Sequence, residues 1–587
     1  MFEIAAQIPP RARKILELGC GRGEAGAFFL RRQPEAVYWG LMDNEEDLAE
    51  AVKFLPHAAC VIPENVNLKS LGIYEADVVI LRGAYAGRMS PAQLQELQAL
   101  LGEEGLLLLE AANPAYVRSL LAELGGGAPV AGRLAREAAI ERVKEAGFTV
   151  LAVQGIYKPE DKKLRQSSAF AAFRDALPAI CREAGQDVIE ADLWAESFLV
   201  KARKKPIEDR ERLLVQTAMG ETIVTPRVRI LEPGEFMSSE PGVMTLAQER
   251  HSVSEELSKR FERKIFIRQR IGFTDVPQGL QVLNLLRKAG YLVLSELDDN
   301  PFASVQSEKQ ERIKELSPVK ELSYLGMHAV QVSTEALAER IRPYNPYVGV
   351  MKNQLKELPE KRNYLVEKLQ KLATGDDYVT FFFGALNRTR EWQEVMPIIK
   401  EAIAKYGGKL RFKVLSDRGF YEALPTEYKE YIGSEKMYGG QFVPYQMYQE
   451  ALHSSDISFL PLRDTEFNRT KSDLKFIESA GHGAVVLASP TVYADTVRDG
   501  RTGFLYRNPQ EFRERLFLLL DNPERRLETA EAAYQYVRRE RLLAGHYQER
   551  LTWYQEMVDR YKELDREVIR RVAEWQKKIS QEKGGKP

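Results

Sequence analysis

The chain has 587 residues, too many for one hydrophobic core, since cores stop growing near ~250–300 residues; three or four domains are expected. The 84 Lys and Arg against 85 Asp and Glu leave a formal net charge of -1, so no bulk field favours nucleic acid as a partner. Three scattered cysteines (Cys20, Cys60 and Cys181) exclude a disulfide framework and suit a reducing cytoplasm, and no apolar run nears the ~20 residues that span a bilayer. From the N-terminus, which carries no secretory apolar run, residues 1–202 alternate short apolar strands with amphipathic helical patterns. Strands are predicted at 14–18, 37–42, 76–81, 105–111 and 148–157, with a late one at 197–202. Such alternation predicts a mostly parallel sheet.

Residues 203–262 change character: charged, proline-punctuated, with short β-like runs in 221–231 and a charged helical stretch at the end. They are expected to form a connecting module packed between domains. Alternation resumes in 263–376, with strands at 264–270, 291–299, 328–334 and 347–353 and a charged helical connector over 354–376. A further unit, 377–550, opens at YVTFFFGAL (378–386). It continues through strands at 410–417, 456–462 and 484–489, with helices at 390–404, 445–454, 472–482 and 509–521. Residues 551–587 are expected to be a helical tail ending in a disordered EKGGKP.

The stretch FNRTKSDLKFIESAGHGAVVLAS (467–489) carries chemistry. A strand ends, a polar loop follows, and a helix begins near Ser472 or Asp473, both good N-cap residues. Lys471 precedes the helix, Lys475 sits one turn in, and Glu478 follows on the same face. Two ammonium groups and free helix N–H groups suit a leaving diphosphate, and the carboxylate suits hydroxyls deeper in. Gly481 and Gly483 permit a tight turn into the next strand.

These residues resemble the donor half of a GT-B glycosyltransferase, close to the retaining family-4 group. That group's signature is two glutamates with seven residues between them, then a small-residue, glycine and apolar run. Glu478 matches the second glutamate; the first position holds Thr470, so Asn468 or Thr470 is the candidate sugar contact. Asp499, Gly500 and Gly503 match the family's return turn. Arg388 and Arg390, in FFFGALNRTREW, are candidate diphosphate ligands together with Ser472. Upstream, 268–301 resembles the acceptor lobe's first loop and strands, where Gly272 and Gly279 would admit a ligand against the backbone. The resemblance implies a nucleotide-diphosphate sugar as donor, a glycan or a protein such as flagellin as acceptor, and no required metal. It assigns Glu478, Lys475 and Lys471 to catalysis. The donor phosphate itself would assist acceptor deprotonation.

At the other end, ILELGCGRGEAGAFFL (15–30) reads strand, glycine turn, helix. Gly19, Gly21 and Gly23 let backbone approach a nucleoside, and Asp43 ends the next strand, where a ribose diol is gripped. Residues 1–202 resemble a class I S-adenosylmethionine-dependent methyltransferase, with Glu17 and the three glycines as its first motif. The expected fold class is thus multidomain α/β: a Rossmann-like methyltransferase fold followed by two Rossmann-like lobes of a GT-B glycosyltransferase. Two rival functions remain open: a glycan methyltransferase with a carbohydrate-reading C-terminal half, and a non-catalytic assembly scaffold.

Overall fold

The computed structural model describes residues 2–63, 72–126, 133–183, 193–204, 213–220, 225–249, 258–302, 316–374, 377–385, 388–433 and 443–584. Of the EKGGKP segment expected to be disordered, 582–584 instead close the last helix and 585–587 lie outside the described residues. The chain divides into two compact units, Met1–Arg210 and Glu211–Pro587.

The first unit holds a seven-stranded sheet. Its strands are β1 (Lys14–Leu18), β2 (Val37–Met42), β3 (His57–Cys60), β4 (Ala76–Leu81), β5 (Leu101–Ala112), β6 (Thr149–Tyr157) and β7 (Ala195–Arg203). The order is β3-β2-β1-β4-β5-β7-β6, parallel except that β7 runs against both β5 and β6. Helix α1 (Glu24–Arg32) follows the glycine turn after β1. The central strands are near-continuous apolar runs because both faces are covered, as in ADVVIL and GLLLLEA. The order reverses between β1 and β4, and open α/β sheets bind ligands beyond the carboxyl ends of strands at such a point.

The second unit holds two six-stranded, wholly parallel sheets. The first lobe comprises β8 (Leu213–Met219), β9 (Val243–Gln248), β10 (Arg263–Gln269), β11 (Leu292–Leu297), β12 (Ala329–Val332) and β13 (Val348–Val350), in the order β13-β12-β11-β10-β8-β9. Residues 213–219 and 243–248, expected in a connecting module, are thus strands of this lobe: β8 pairs along its whole length with β10. The run LLVQTAM is apolar enough to be buried on both faces, and that pattern outweighs the charge around it. Of the β-like reading of 221–231, residues 221–224 lie outside the described residues and 225–231 are helical instead. Residues 227–231 form a π-helical turn leading into α2 (Glu232–Met237), started by Pro226 with its fixed φ. Helices α3 (Val276–Lys288) and α4 (Pro318–Leu325) cover one face of the sheet.

The second lobe comprises β14 (Val379–Gly384), β15 (Leu410–Leu415), β16 (Lys429–Ile432), β17 (Ile457–Leu460), β18 (Val485–Ala488) and β19 (Phe504–Leu505), in the order β16-β15-β14-β17-β18-β19. Around it lie α5 (Thr389–Gln393), α6 (Tyr445–His453), α7 (Leu474–Gly481) and α8 (Pro523–Glu540). The order reverses between β14 and β17.

The final helices, α9 (Tyr547–Asp559) and α10 (Tyr561–Gly584), are not a free tail. Leu551, Tyr554, Met557 and Leu564 are buried against β8, β10 and β11. Asp565 accepts from Arg287 at 2.5 and 3.0 Å, and Trp575 Nε1 donates to Glu321 at 2.7 Å. The chain therefore crosses between lobes twice, at 351–358 and at 541–546. The two crossings meet in a parallel bridge, Leu355 N–H to Arg541 O at 2.9 Å and Leu543 N–H to Leu355 O at 2.8 Å. Among the described residues no helix is long and apolar enough to cross a membrane.

Candidate functional site

The switch point of the second lobe gathers the predicted chemistry. The chain leaves β17, makes a single turn at Asn468–Thr470 and enters α7. Asp473 occupies the N-cap position but does not cap. Its carboxylate is drawn off by the Arg541 guanidinium at 2.5 and 3.0 Å and by Thr496 Oγ1 at 2.8 Å. Ser472 does not cap either: its Oγ accepts from Asn353 Nδ2 at 2.8 Å. The helix start is thus held by the lobe crossings instead of by its own side chains, which leaves it without a side-chain cap.

One turn in, Lys475 Nζ donates to the carbonyl of Gly384, the last residue of β14, at 2.6 Å. It also stands 5.4 Å from the Tyr448 ring. Burial pushes the ammonium below its ordinary pKa; the Glu478 charge opposes that shift, and Arg388 and Lys471 add to it. Glu478 is 5% exposed. Its two oxygens accept from the hydroxyls of Tyr445 (3.2 Å) and Tyr448 (2.9 Å). Burial raises its pKa against the pull of Lys475 and these hydroxyls. A lysine pushed toward neutrality beside a carboxylate pushed toward protonation is a pair whose solvation is incomplete. A ligand bringing negative charge to Lys475 relieves the lysine's share of that penalty.

Lys471 and Lys475 do not converge on one partner. Lys471 Nζ reaches across to Asp299 of the first lobe at 2.9 Å and lies 4.5 Å from the Phe467 ring. Asp298 and Asp299 are themselves held by Arg270 at 2.5 and 2.6 Å. Burial would raise Asp299, but Lys471 and Arg270 outweigh it and hold the carboxyl below its ordinary value. Of the two arginines, Arg388 is the one brought to the site: its charge acts on Lys475 and Tyr493, and its guanidinium is 3.5 Å from Glu391. Arg390 is exposed on α5. The side chains of Asn468 and Thr470 are buried and serve their own loop, donating to Arg463 O (3.0 Å) and Phe467 O (2.8 Å). The tight turn uses the Asn468 amide N–H and the Thr470 hydroxyl proton for itself. Gly272 is open, with nothing within 4 Å of an added Cβ, and its carbonyl accepts from Arg268 at 2.9 Å. Gly279 is not an opening for ligand: an added Cβ would meet Leu322 at 2.7 Å and Phe273 at 2.9 Å, where α3 packs on α4.

Glu478 also lines a cavity of ≈ 330 Å³ between the lobes, whose other walls include Arg227, Glu232, Gln354, Lys356 and Tyr445. The Arg227 guanidinium sits 3.0 Å from the centre of the Tyr445 ring. Burial, opposed by Arg227 and Lys356 and assisted by Glu478, pushes Glu232 up to about 7. Sequence reasoning missed this wall. The tyrosine pair was findable, since YQMYQE puts Tyr445 and Tyr448 one turn apart on a helix flanking Glu478. Arg227 and Glu232 were not: Arg227 falls in the run 221–231, which reads as β, and both lie in a stretch expected only to connect domains. Among the described residues no group of three or more His, Cys, Asp or Glu stands together as a metal site.

In the first unit, Gly19, Gly21 and Gly23 all have left-handed backbones, φ 87, 55 and 82. An added Cβ on Gly19 would overlap the Arg82 carbonyl, and one on Gly23 would press on Leu55 at 3.1 Å, whereas one on Gly21 meets nothing within 4 Å. The turn is therefore tight on its protein side and open at Gly21. Glu17 does not face that opening. It is fully buried, accepting from Tyr38 Oη at 2.7 Å and Arg82 Nη1 at 3.1 Å, while Arg82 Nε reaches Glu110 at 2.8 Å. A carboxylate inside a parallel sheet needs such partners, and they make Glu17 a core ion pair instead of a ligand group. Asp43 is exposed at the carboxyl end of β2 and accepts from Asn44 Nδ2 at 3.3 Å.

Residues 390–556 match a family model described as glycosyl transferase-like, so the chain carries a glycosyl transferase-like domain over the second lobe and the start of the returning helices. No curated protein matches the chain. Solved structures similar in part include the TehB-like SAM-dependent methyltransferase of Corynebacterium glutamicum (15% identity over 34% of this chain and 87% of that one, TM-score 0.22). HepE of Anabaena, in complex with UDP and glucose, is similar at 11% identity over 59% of this chain and 100% of that one, TM-score 0.38. TarM is similar at 12% identity over 50% and 54%, TM-score 0.36.

Proposed function

We propose that the second unit transfers a sugar from a nucleotide-diphosphate donor to a glycan or protein acceptor, using the α7 tip as its diphosphate site. The observation that carries this reading is the Lys475–Gly384 contact beside buried Glu478. A half-desolvated ammonium stands at a sheet switch point, one turn inside an uncapped helix start. As the bond from the sugar C1 to the phosphate breaks, negative charge grows on the leaving diphosphate. Lys475, Arg388 and the helix N–H groups are the cations and dipoles available to stabilise it. Lys471, released from Asp299, is a further cation when the lobes adjust around a donor. Glu478 and its two tyrosine hydroxyls offer acceptors and donors for sugar or ribose hydroxyls. We assign retention of anomeric configuration to the reaction, as the family-4 resemblance implies. Isothermal titration with uridine, guanosine and thymidine diphosphates tests the reading. Binding of at least one, with a stoichiometry of one and loss in a Lys475 variant, is expected; binding of none overturns it.

For the first unit we propose an S-adenosylmethionine site at the open side of the glycine turn. The complete strand order with antiparallel β7, the three left-handed glycines and the free space at Gly21 support the fit. The turn's backbone would hold the cofactor and Asp43 would receive its ribose hydroxyls. When bound, the group supplies an electrophilic methyl. The scattered cysteines, with Cys20 and Cys60 free, suit a cytoplasmic setting. A rise in melting temperature with S-adenosylmethionine, lost on Gly21→Val, is the expected result.

A further inference from the structure

The helix start that would receive the diphosphate is not held by its own residues. It is held from the hinge. Arg541, the first residue after α8 and 6% exposed, sits at the second lobe crossing. Its guanidinium makes two bonds to Asp473, donates from Nε to Gln354 Oε1 at 2.9 Å and from Nη2 to the carbonyl of Asn353 at 2.9 Å. Asn353 in turn holds Ser472 through its Nδ2 and accepts from Arg229 Nη1 at 2.9 Å on its Oδ1. Arg229 is pinned in the first lobe by Glu296 at 2.6 Å and by the Met351 carbonyl. One continuous chain of hydrogen bonds, charge-assisted at Arg229 and Arg541, thus runs from β11 through both crossings to the two residues preceding α7. Every donor side chain in it is buried, so each bond is short of competing water.

We infer that Arg541 is a positioning residue that fixes the α7 tip, and with it Lys471 and Lys475, to the interlobe hinge, so that lobe movement and diphosphate binding are coupled through it. A planar guanidinium suits this task and an ammonium does not. Five acceptor atoms on four residues, Tyr536 Oη at 3.4 Å among them, are met at once, with Asp473 engaged by two separate nitrogens. The inference rests on the diphosphate reading for its functional consequence, but its structural content is independent of that reading.

The test uses the full chain with Arg541→Gln, Arg541→Lys and Asp473→Asn, read by hydrogen exchange and by titration of the three nucleoside diphosphates. Arg541→Gln is expected to speed amide exchange at 474–478 at least tenfold while exchange in β14, β17 and β18 stays as in the wild type. Its nucleoside diphosphate dissociation constant should rise at least tenfold. Arg541→Lys should restore little of either effect, and Asp473→Asn should reproduce both, covering the case in which an Arg541 variant does not fold. Uniformly faster exchange across the lobe, or unchanged exchange at 474–478, overturns the positioning role. Wild-type protein that binds no nucleoside diphosphate overturns the diphosphate reading, and the exchange data still decide the role of Arg541.

Discussion

Replacing Lys475 by methionine separates stability from binding. The side chain keeps its length and most of its apolar contact with Tyr448 but loses the ammonium. In the free protein that ammonium is buried, and its pKa is lowered by burial, so removing it relieves a desolvation penalty. Against this, the Gly384 carbonyl loses its donor at 2.6 Å, which costs about 1–3 kcal/mol if water does not replace it. Glu478 loses the positive charge that most opposes its raised pKa, which climbs further and eases the cost of leaving the carboxylate without that partner. The two effects nearly cancel, and the melting temperature is expected to move by no more than a few degrees. Binding has no such compensation. A charged hydrogen bond to phosphate contributes about 1.5–3 kcal/mol, which corresponds to a roughly 10- to 150-fold weaker nucleoside diphosphate affinity. Calorimetric titration beside a thermal scan reads both quantities on one preparation. A Lys475→Met protein that binds every nucleoside diphosphate within twofold of wild type would refute the site; a parallel collapse of stability would show the lysine to be structural.

The same lysine predicts a pH dependence. Its free-state pKa lies below the ordinary 10.5 and a bound diphosphate raises it, so the lysine's contribution to affinity is lost as pH climbs through the free-state value. Titrations in buffers of different ionisation enthalpy should show proton uptake in that window, lost in Lys475→Met. In the first unit, Gly19→Ala should lower the unfolding temperature markedly, by left-handed strain of ~1–2 kcal/mol plus overlap with the Arg82 carbonyl. Gly21→Ala carries the strain without the overlap, and circular dichroism of the two variants compares them directly. Asp565→Asn should loosen α10 from the first lobe, with faster proteolysis after 560 as the readout. The Asp565 carboxyl is held below its ordinary 3.8 by His328 and Arg287, so its stabilisation is present above that pH and fades as pH falls below it.

The strands were legible wherever burial on both faces produced an unbroken apolar run, as in VTFFFG, VVLA and ADVVIL. The α7 device was legible because its residues are local: Lys471, Lys475 and Glu478 lie within one short segment. What joins them was not. Gly384, Tyr448, Asp299 and Arg541 lie up to 172 residues away in sequence from their partners, and no periodicity reports such pairs. The sequence also placed Asp473 at the helix start correctly and its function incorrectly, because an N-cap side chain is free to cap only if no buried guanidinium outbids the backbone N–H. Glu17 is a similar case: its position before the glycine turn matches a motif, while its partners are Tyr38 of β2 and Arg82 just past β4.

Because α9 and α10 return to cover β8, β10 and β11, the first lobe is interrupted in sequence, with the second lobe inserted between its two parts. During synthesis on the ribosome the inserted lobe emerges complete and can close its own core. The lobe that began earlier must wait, with Ile265, Ile267 and Leu294 still uncovered, until residues beyond 547 have been made. Vectorial folding should therefore finish in the reverse of reading order, and a chain stopped at 545 is expected to expose that apolar face and aggregate.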